Sequence, residues 1–471
     1  MLQESSAKNQ YLATIAVNIL TFSYGLFCGW LSPAIARLTS PASAMETGPI
    51  NNEDISWIGA SLCIGGFFGN FVYGWLNRRF GRKACLLITA APLFFSWTAV
   101  IFGRRIIHLC VARFLGGFAA SGVFSLVPVY VTEISQDRIR GALGSYFIMA
   151  INAGILIAFV TGTYMTYRTN PYMLSVPVLV FVLVFAFIPE TPQHLLKVKA
   201  DRKAEKSYLF YRNYKYLSKE VNQQFISEMQ CLKDNNCTET TKNTDDDSDQ
   251  MNAPLKLSDF TNRAARKSII ISLFLMFLSQ FCGAFAMINY TALIFYESGS
   301  SMPPELAAMV VAGIQVIGSY FSIILIERSG RKMLLIVSAF GCCFGTFTLG
   351  IYTLIKSYNV NMQGYEWIPI FSLSFVIFIA AWGVLAIHFL VMSEITPPKI
   401  INVISPICVA AMFFFGFVTV KGLPVFNEAF GLHVSMFIFS ICSFLGGIFI
   451  ILYLPETKGK SINEILDILS K

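Results

Sequence analysis

The sequence predicts an all-α membrane protein, with twelve transmembrane helices in two six-helix bundles related by a pseudo-twofold axis. Three observations carry this. Of the 471 residues, 55% are hydrophobic and only 13% charged, whereas a soluble domain carries about 25% charged residues. The apolar residues gather into twelve runs, near 12–36, 56–76, 84–102, 106–132, 142–166 and 173–189, then 268–296, 305–326, 333–355, 367–393, 402–424 and 432–454. Each is of the order of the roughly 20 residues that cross ~30 Å of hydrocarbon. Finally, three charged motifs occur twice in the same order. Asn77-Arg78-Arg79-Phe80-Gly81-Arg82-Lys83 returns as Glu327-Arg328-Ser329-Gly330-Arg331-Lys332, Glu133 returns as Glu394, and Pro189-Glu190-Thr191-Pro192 returns as Pro455-Glu456-Thr457-Lys458. Repeated motifs on a repeated hydropathy pattern mean two structurally related halves.

Taken in order, residues 1–10 are polar and lack the features of a cleavable leader, so the first run is expected to act as its own insertion signal. The loop 39–54 ends in Asn52-Glu53-Asp54, acidic residues at a helix start where the backbone dipole favours them. Glycines cluster within spans at Gly65, Gly66 and Gly69, at Gly116, Gly117 and Gly122, and at Gly341 and Gly345. In lipid, such small residues let helix backbones approach closely. With no strand before them they are poor evidence of nucleotide binding.

The polar stretch 197–267 separates the halves. From 201 to about 225 it places Leu209, Phe210, Tyr214 and Leu217 at near-helical spacing, as an amphipathic helix under the bundles would. Residues 233–252 are rich in Asn, Thr, Asp and Ser and read as a disordered linker. The boundaries expected are therefore 1–193 for the first bundle, 194–267 for the linker, 268–456 for the second bundle and 457–471 for a tail. Lys and Arg concentrate in loops on one face: Arg78, Arg79, Arg82 and Lys83, Arg138 and Arg140, Arg328, Arg331 and Lys332, Lys458 and Lys460. The positive-inside rule makes that face, and both termini, cytoplasmic. The net charge of +8 then belongs to this face and to anionic lipid headgroups, and calls for no nucleic-acid partner. The eleven cysteines are scattered, and even the adjacent Cys342-Cys343 reads as apolar filler. No metal and no cofactor are expected, and no covalent chemistry, so the chain is not read as an enzyme.

The charged motifs, in this order and at these places relative to the spans, resemble the sugar porter family of the major facilitator superfamily. The resemblance rests on Gly74 through Lys83, Arg113-Phe114-Leu115-Gly116-Gly117, Pro128 through Ile134, Arg140-Gly141, Pro189-Glu190-Thr191-Pro192 and Pro455 through Lys460. Gln280-Phe281-Cys282-Gly283 and Asn289-Tyr290-Thr291 are most similar to the facilitated trehalose transporter-like branch of insects. The resemblance implies two six-helix bundles, a central sugar site and alternating access; function as a monomer in the plasma membrane is expected.

Arg78, Arg82, Arg140, Arg328 and Arg331 stand at helix ends on the basic face, as do Glu133, Glu190, Glu394 and Glu456. Guanidinium forks facing carboxylates there would form a gating charge network that latches one global state. The second half has Ile401 where the first has Arg140, with Lys399 nearby, so a latch dominated by the first half is expected. Asn77 and Gln193 are further departures from the family pattern.

A sugar path needs hydroxyl partners and aromatic faces at the bundle centre. The candidates are Gln280, Gln315, Asn152, Asn289 and His388, with Phe389 and Trp382 as stacking surfaces. Gln280 matches a glutamine of the family's seventh-helix motif, and Gln315 falls where the eighth helix usually offers Asn. Other family positions are replaced here, by Ser279, Phe285, Ile148, Phe389 and His388. Arg113 is expected to snorkel or to hold a neighbouring helix rather than touch sugar. Proton coupling wants a carboxylate at membrane depth, and none lies mid-span, so facilitated diffusion of trehalose or a hexose is the favoured reading. A proton-linked symporter using His388, and a non-transporting sugar sensor, are the alternatives.

Overall fold

The computed structural model describes residues 7–40, 45–46, 48–198, 200–213, 257–300, 302–397, 399–460 and 462–470. The side chains of Arg78 and Arg328, residues 214–256 with the expected disordered linker, and Tyr214 and Leu217 lie outside the described residues. Six helices form the first half: α1 (Lys8–Leu38), α2 (Asn52–Phe80), α3 (Arg82–Phe102), α4 (Ile106–Ile134), α5 (Asp137–Tyr164) and α6 (Asn170–Ala186). Between the halves lie α7 (Pro192–Lys197), α8 (Asp201–Arg212) and α9 (Leu257–Thr261). The second half holds α10 (Arg263–Phe281), α11 (Ala284–Asn289), α12 (Thr291–Ser298), α13 (Pro304–Ser329), α14 (Arg331–Ser357), α15 (Ile368–Ala380), α16 (His388–Ile395), α17 (Ile401–Phe430) and α18 (Leu432–Tyr453), followed by α19 (Ile462–Ser470).

Ten of these segments are long and apolar enough to cross a membrane, and α6 and α15 are shorter apolar helices. The halves repeat one packing plan. α1 packs on α5 as α10 does on α17, α2 on α4 as α13 on α15, and α3 on α6 as α14 on α18. The halves meet where α2 lies against α17 and α5 against α13. The glycines behave as close-contact points: a Cβ at Gly65 would strike the Phe114 carbonyl, and one at Gly117 the Leu62 carbonyl. Large apolar side chains such as Phe95, Leu183, Phe344 and Leu452 face outward, the surface expected against lipid tails.

Three local features refine the sequence reading. The α2 start is a capping box: Asn51 Oδ1 accepts from Asp54 N at 2.8 Å, and the Asp54 carboxylate accepts from Asn51 N at 3.2 Å. The seventh and tenth spans are broken rather than continuous. The former is interrupted at Cys282-Gly283, with Gly283 at φ +83°, and again at Tyr290; the latter is irregular over 381–387. Unwound backbone at membrane depth is tolerated where it is enclosed by protein or lines a cavity. In α8 the buried positions are Ala204, Ser207, Tyr208 and Tyr211, while Phe210, expected on the apolar face, is exposed. The helix is docked through Tyr211, whose hydroxyl donates to Pro189 O at 2.7 Å and lies 3.0 Å from Tyr130 Oη.

Candidate functional site

Between the halves lies a cavity of about 1260 Å³. It begins at mid-depth, walled by Asn152, Gln280, Gln315, His388 and Phe389, and runs to the basic face, where Asn77, Arg82, Glu133 and His194 form its mouth. Glu133, at that mouth, is the acidic side chain of the described lining. Carbonyls, amides, an imidazole and aromatic rings therefore define the deep part, without a formal charge.

On the opposite face the halves are joined. Arg113 is fully buried; its Nη2 donates to Asn289 Oδ1 at 2.9 Å across the halves and its Nη1 to Phe27 O at 3.2 Å, with the guanidinium 5.4 Å from the Phe27 ring centroid. A buried cation persists only with such partners. Thus Arg113 holds neighbouring helices and does not snorkel. Nearby, the Ala292 N–H donates to Ser32 Oγ at 3.0 Å, and Tyr290 Oη donates to Val420 O at 3.0 Å. Lys421 reaches from α17 to α2, with Nζ 2.7 Å from Ser56 Oγ and 4.1 Å from the Trp57 ring centroid. Sequence reasoning passed over Lys421, although a lone cation inside the eleventh apolar run was a signal.

The candidate polar residues divide by their partners. Gln315 Nε2 donates to Asn152 Oδ1 at 3.0 Å, Asn152 Nδ2 donates to Ser319 Oγ, and Ser319 Oγ donates to Gln315 O at 2.8 Å. These amides thus bridge α5 and α13 along the cavity wall. Gln280 donates to Ser279 Oγ at 3.3 Å and leaves its buried Oε1 without a partner. His388 Nδ1 lies 3.0 Å from Val384 O, and its buried Nε2 has no partner. Phe389 sits beside it, ring centroids 4.3 Å apart, and faces Phe124 of the first half at 6.4 Å. The structure does not bring Asn289 or Trp382 to the described cavity wall: Asn289 is held by Arg113, and Trp382 packs on Phe378 at 5.0 Å between centroids.

The charged motifs build the same cluster twice. Arg82 Nε and Nη2 both meet Glu133 Oε1 at 2.9 Å, and its Nη1 donates to Asn77 Oδ1. Arg331 Nε and Nη2 meet Glu394 Oε1 at 3.2 and 3.1 Å, with the Thr457 hydroxyl on the other Glu394 oxygen. Glu190 accepts the Lys83 N–H at 3.0 Å, just as Glu456 accepts those of Arg331 and Lys332 at 2.9 and 3.1 Å. Even the lysines correspond: Lys83 Nζ donates to Ala186 O and Lys332 Nζ to Ile451 O. Partial burial works to raise the Glu456 carboxyl, but the backbone N–H groups of Lys458, Arg331, Lys332 and Thr457 outweigh it and hold the group below its ordinary value.

A latch dominated by the first half was expected; among the described residues the Arg–Glu pair forms in both halves, Arg82 with Glu133 and Arg331 with Glu394. Glu190 and Glu456 add the helix-start N–H groups of α3 and α14 in both halves, contacts that need no counterpart of Arg140. Lys399 instead pairs with Asp259 of α9 at 2.8 Å. Each described Arg–Glu pair stays inside its own half, because the cavity separates the halves at this face.

The chain is similar to several known proteins. It is 29% identical over 460 residues to the facilitated trehalose transporter Tret1 of Culex quinquefasciatus, covering 97% of this chain and 85% of that one. With Tret1 of Drosophila mojavensis it shares 28% identity over 459 residues, again 97% of this chain, and there it spans about half the relative's length, 51%. Among solved structures, the inward open conformation of the xylose transporter XylE from E. coli superposes with a TM-score of 0.77 at 20% identity, covering 97% of this chain and 98% of that one. The partially occluded inward open form of the same protein gives 0.74 at 19% identity, covering 96% and 100%. These share the major facilitator fold. A family model described as sugar (and other) transporter matches residues 11–469, and the chain accordingly belongs to that family, the sugar porters of the major facilitator superfamily.

Proposed function

We propose that this chain is a facilitative transporter that carries a neutral sugar, trehalose or a hexose, across the plasma membrane by alternating access. The two bundles, 1–193 and 268–456, would rock about the mid-depth cavity, with the linker 194–267 and the tail 457–471 on the cytoplasmic side together with both termini. A monomer in the bilayer suffices for this. One observation supports the reading above all: a cavity that runs to the basic face, walled at mid-depth by uncharged polar groups and aromatics, and capped on the other side by contacts that cross between the halves. A neutral polyol suits a wall with no formal charge, and the name of the insect relatives, facilitated trehalose transporter, favours trehalose.

In this reading Gln280, His388 and Phe389 contact the cargo directly. Asn152 and Gln315 join them from the bridge between α5 and α13. Asn289 enters the path once the opposite face opens and Arg113 releases it, and Trp382 supports the broken tenth span. The charge clusters of Arg82, Glu133, Glu190, Arg331, Glu394 and Glu456, with Arg78, Arg140 and Arg328, gate the basic face when the halves close there. The test is uptake of labelled trehalose, glucose and fructose into proteoliposomes. Gln280→Ala is expected to lower uptake of the preferred sugar by about tenfold, as for one lost hydrogen bond to cargo. No uptake of any of the three would sink the proposal.

A proton-linked mechanism gains support from one observation, the unpartnered His388 Nε2 in the cavity wall. Uptake that collapses with an uncoupler in the wild type and becomes insensitive in His388→Gln would favour it.

A further inference from the structure

The deep wall of the cavity contains two buried polar atoms without partners, His388 Nε2 and Gln280 Oε1. They come from different elements, α16 and α10, and both residues line the same cavity. Unpaired buried polar atoms are costly, of the order of 1–3 kcal/mol each, and two of them on residues of one cavity wall call for a partner.

Their chemistry can be specified. A carbonyl oxygen only accepts hydrogen bonds, so the 3.0 Å contact between His388 Nδ1 and Val384 O requires the proton on Nδ1. Charge on the ring would add a second proton at Nε2, but the described lining offers no carboxylate at that depth to balance it; Glu133 lies at the mouth. The ring is then neutral, and Nε2 carries a bare lone pair. Gln280 spends its amide on Ser279 Oγ and likewise presents an oxygen acceptor. Space beside that oxygen is kept free by Gly416, where a Cβ would stand 3.2 Å from Gln280 Oε1. The His388 ring is fixed in place by Val384 O on one side and by Phe389, 4.3 Å away between centroids, on the other.

We propose that His388 is a specificity-determining residue of the cargo site: its Nε2 is a fixed acceptor that takes the O–H of one sugar hydroxyl, alongside the Gln280 oxygen. The assignment rests on the transport reading above and narrows it. The wall asks for hydroxyl donors, so it selects polyols by their O–H groups rather than by their oxygen lone pairs. A deoxy sugar has neither; a deoxyfluoro sugar keeps an acceptor but cannot donate. An acceptor wall therefore rejects both analogues alike, whereas a donor wall would tolerate the fluoro compound.

The experiment is competition by the monodeoxy and monodeoxyfluoro analogues of glucose against labelled glucose or trehalose uptake in proteoliposomes, for wild type, His388→Phe and His388→Gln. In the wild type, at the hydroxyl that meets His388 and at the one that meets Gln280, both analogues should compete about 3- to 10-fold more weakly than glucose, the worth of a single hydrogen bond. In His388→Phe this discrimination should vanish at the first of these positions and persist at the second. A fluoro analogue that competes like glucose where the deoxy analogue fails, or discrimination unchanged in His388→Phe, would overturn the assignment. A second measurement does not depend on flux: the 15N resonances of labelled histidine in the solubilised protein, with His388 assigned by its loss in His388→Gln. The proton on Nδ1, and an Nε2 resonance that moves on adding glucose or trehalose, support the assignment; a proton on Nε2 in the sugar-free protein refutes it. Absence of uptake for every sugar would instead defeat the transport reading, and the resonance measurement would still decide what His388 presents.

Discussion

The two faces of the molecule are tied in opposite ways. At the basic face each described Arg–Glu pair closes within one half, Arg82 with Glu133 and Arg331 with Glu394. At the opposite face the ties cross between halves: Arg113 to Asn289, Ala292 to Ser32, Lys421 to Ser56 and Trp57. The face with the Arg–Glu pairs is the open one, and the closed face is held by two cations and a backbone N–H on neutral acceptors. The difference follows from water. At the basic face the carboxylates, with the Glu133 side chain only 9% exposed, are satisfied by arginines of their own half and need not part from them. In the transport reading, by contrast, a carboxylate deep within the opposite face would have to be desolvated with each cycle. In the alternating-access reading, neutral acceptors would let the cross-half ties form and break within the few kcal/mol that separate two global states.

This contrast can be broken in three places. The largest effect is expected from Asn289→Leu, which strips the buried Arg113 guanidinium of its cross-half acceptor. Such a loss is worth about 1–3 kcal/mol, a shift of roughly 5- to 150-fold against the state closed on that face. Labelling of Cys28, which lines the cavity, by an impermeant thiol reagent added from that face of sided vesicles should accelerate accordingly; an unchanged rate would show that Asn289 does not hold the face shut. Next come Glu133→Gln and Glu394→Gln. Each weakens one half-buried Arg pair, so each should lower stability by about 1–2 kcal/mol, with the two losses alike. Thermal unfolding in detergent checks this, and a drop confined to Glu133→Gln would restore the expected dominance of the first half. The smallest effect belongs to Lys421→Met, which removes a cation–π contact and one hydrogen bond, about 0.5–1 kcal/mol. The same labelling assay should quicken by a few-fold, and adding Trp57→Leu should contribute little more if the two act as one contact.

Much of this architecture is legible along the chain. The twelve apolar runs, the doubled motifs and the helix start at Asn52-Glu53-Asp54 are local patterns, and the helices formed where they were read. The breaks in the seventh and tenth spans were not legible, because the apolar residues continue through them; Gly283 is the lone local cue in the former. Candidate site residues were picked for being polar at depth, and that criterion cannot tell a group facing the cavity from one already satisfied. Gln280 and His388 proved to have spare acceptors, Asn152 and Gln315 satisfy each other, and Asn289 is bound to an arginine 176 residues away in sequence.

The sequence by itself determined the number of spans, the twofold repeat and the basic face, because transfer of side chains from water to hydrocarbon depends on run length and charge position, both one-dimensional quantities. The tertiary structure alone decided which face is open, which ion pairs stay within a half, and which buried polar atoms remain unpaired at the cavity wall. Those outcomes depend on partners far apart in the chain. Hydrogen bonds act over about 3 Å, so only the packed arrangement of helices fixes who satisfies whom.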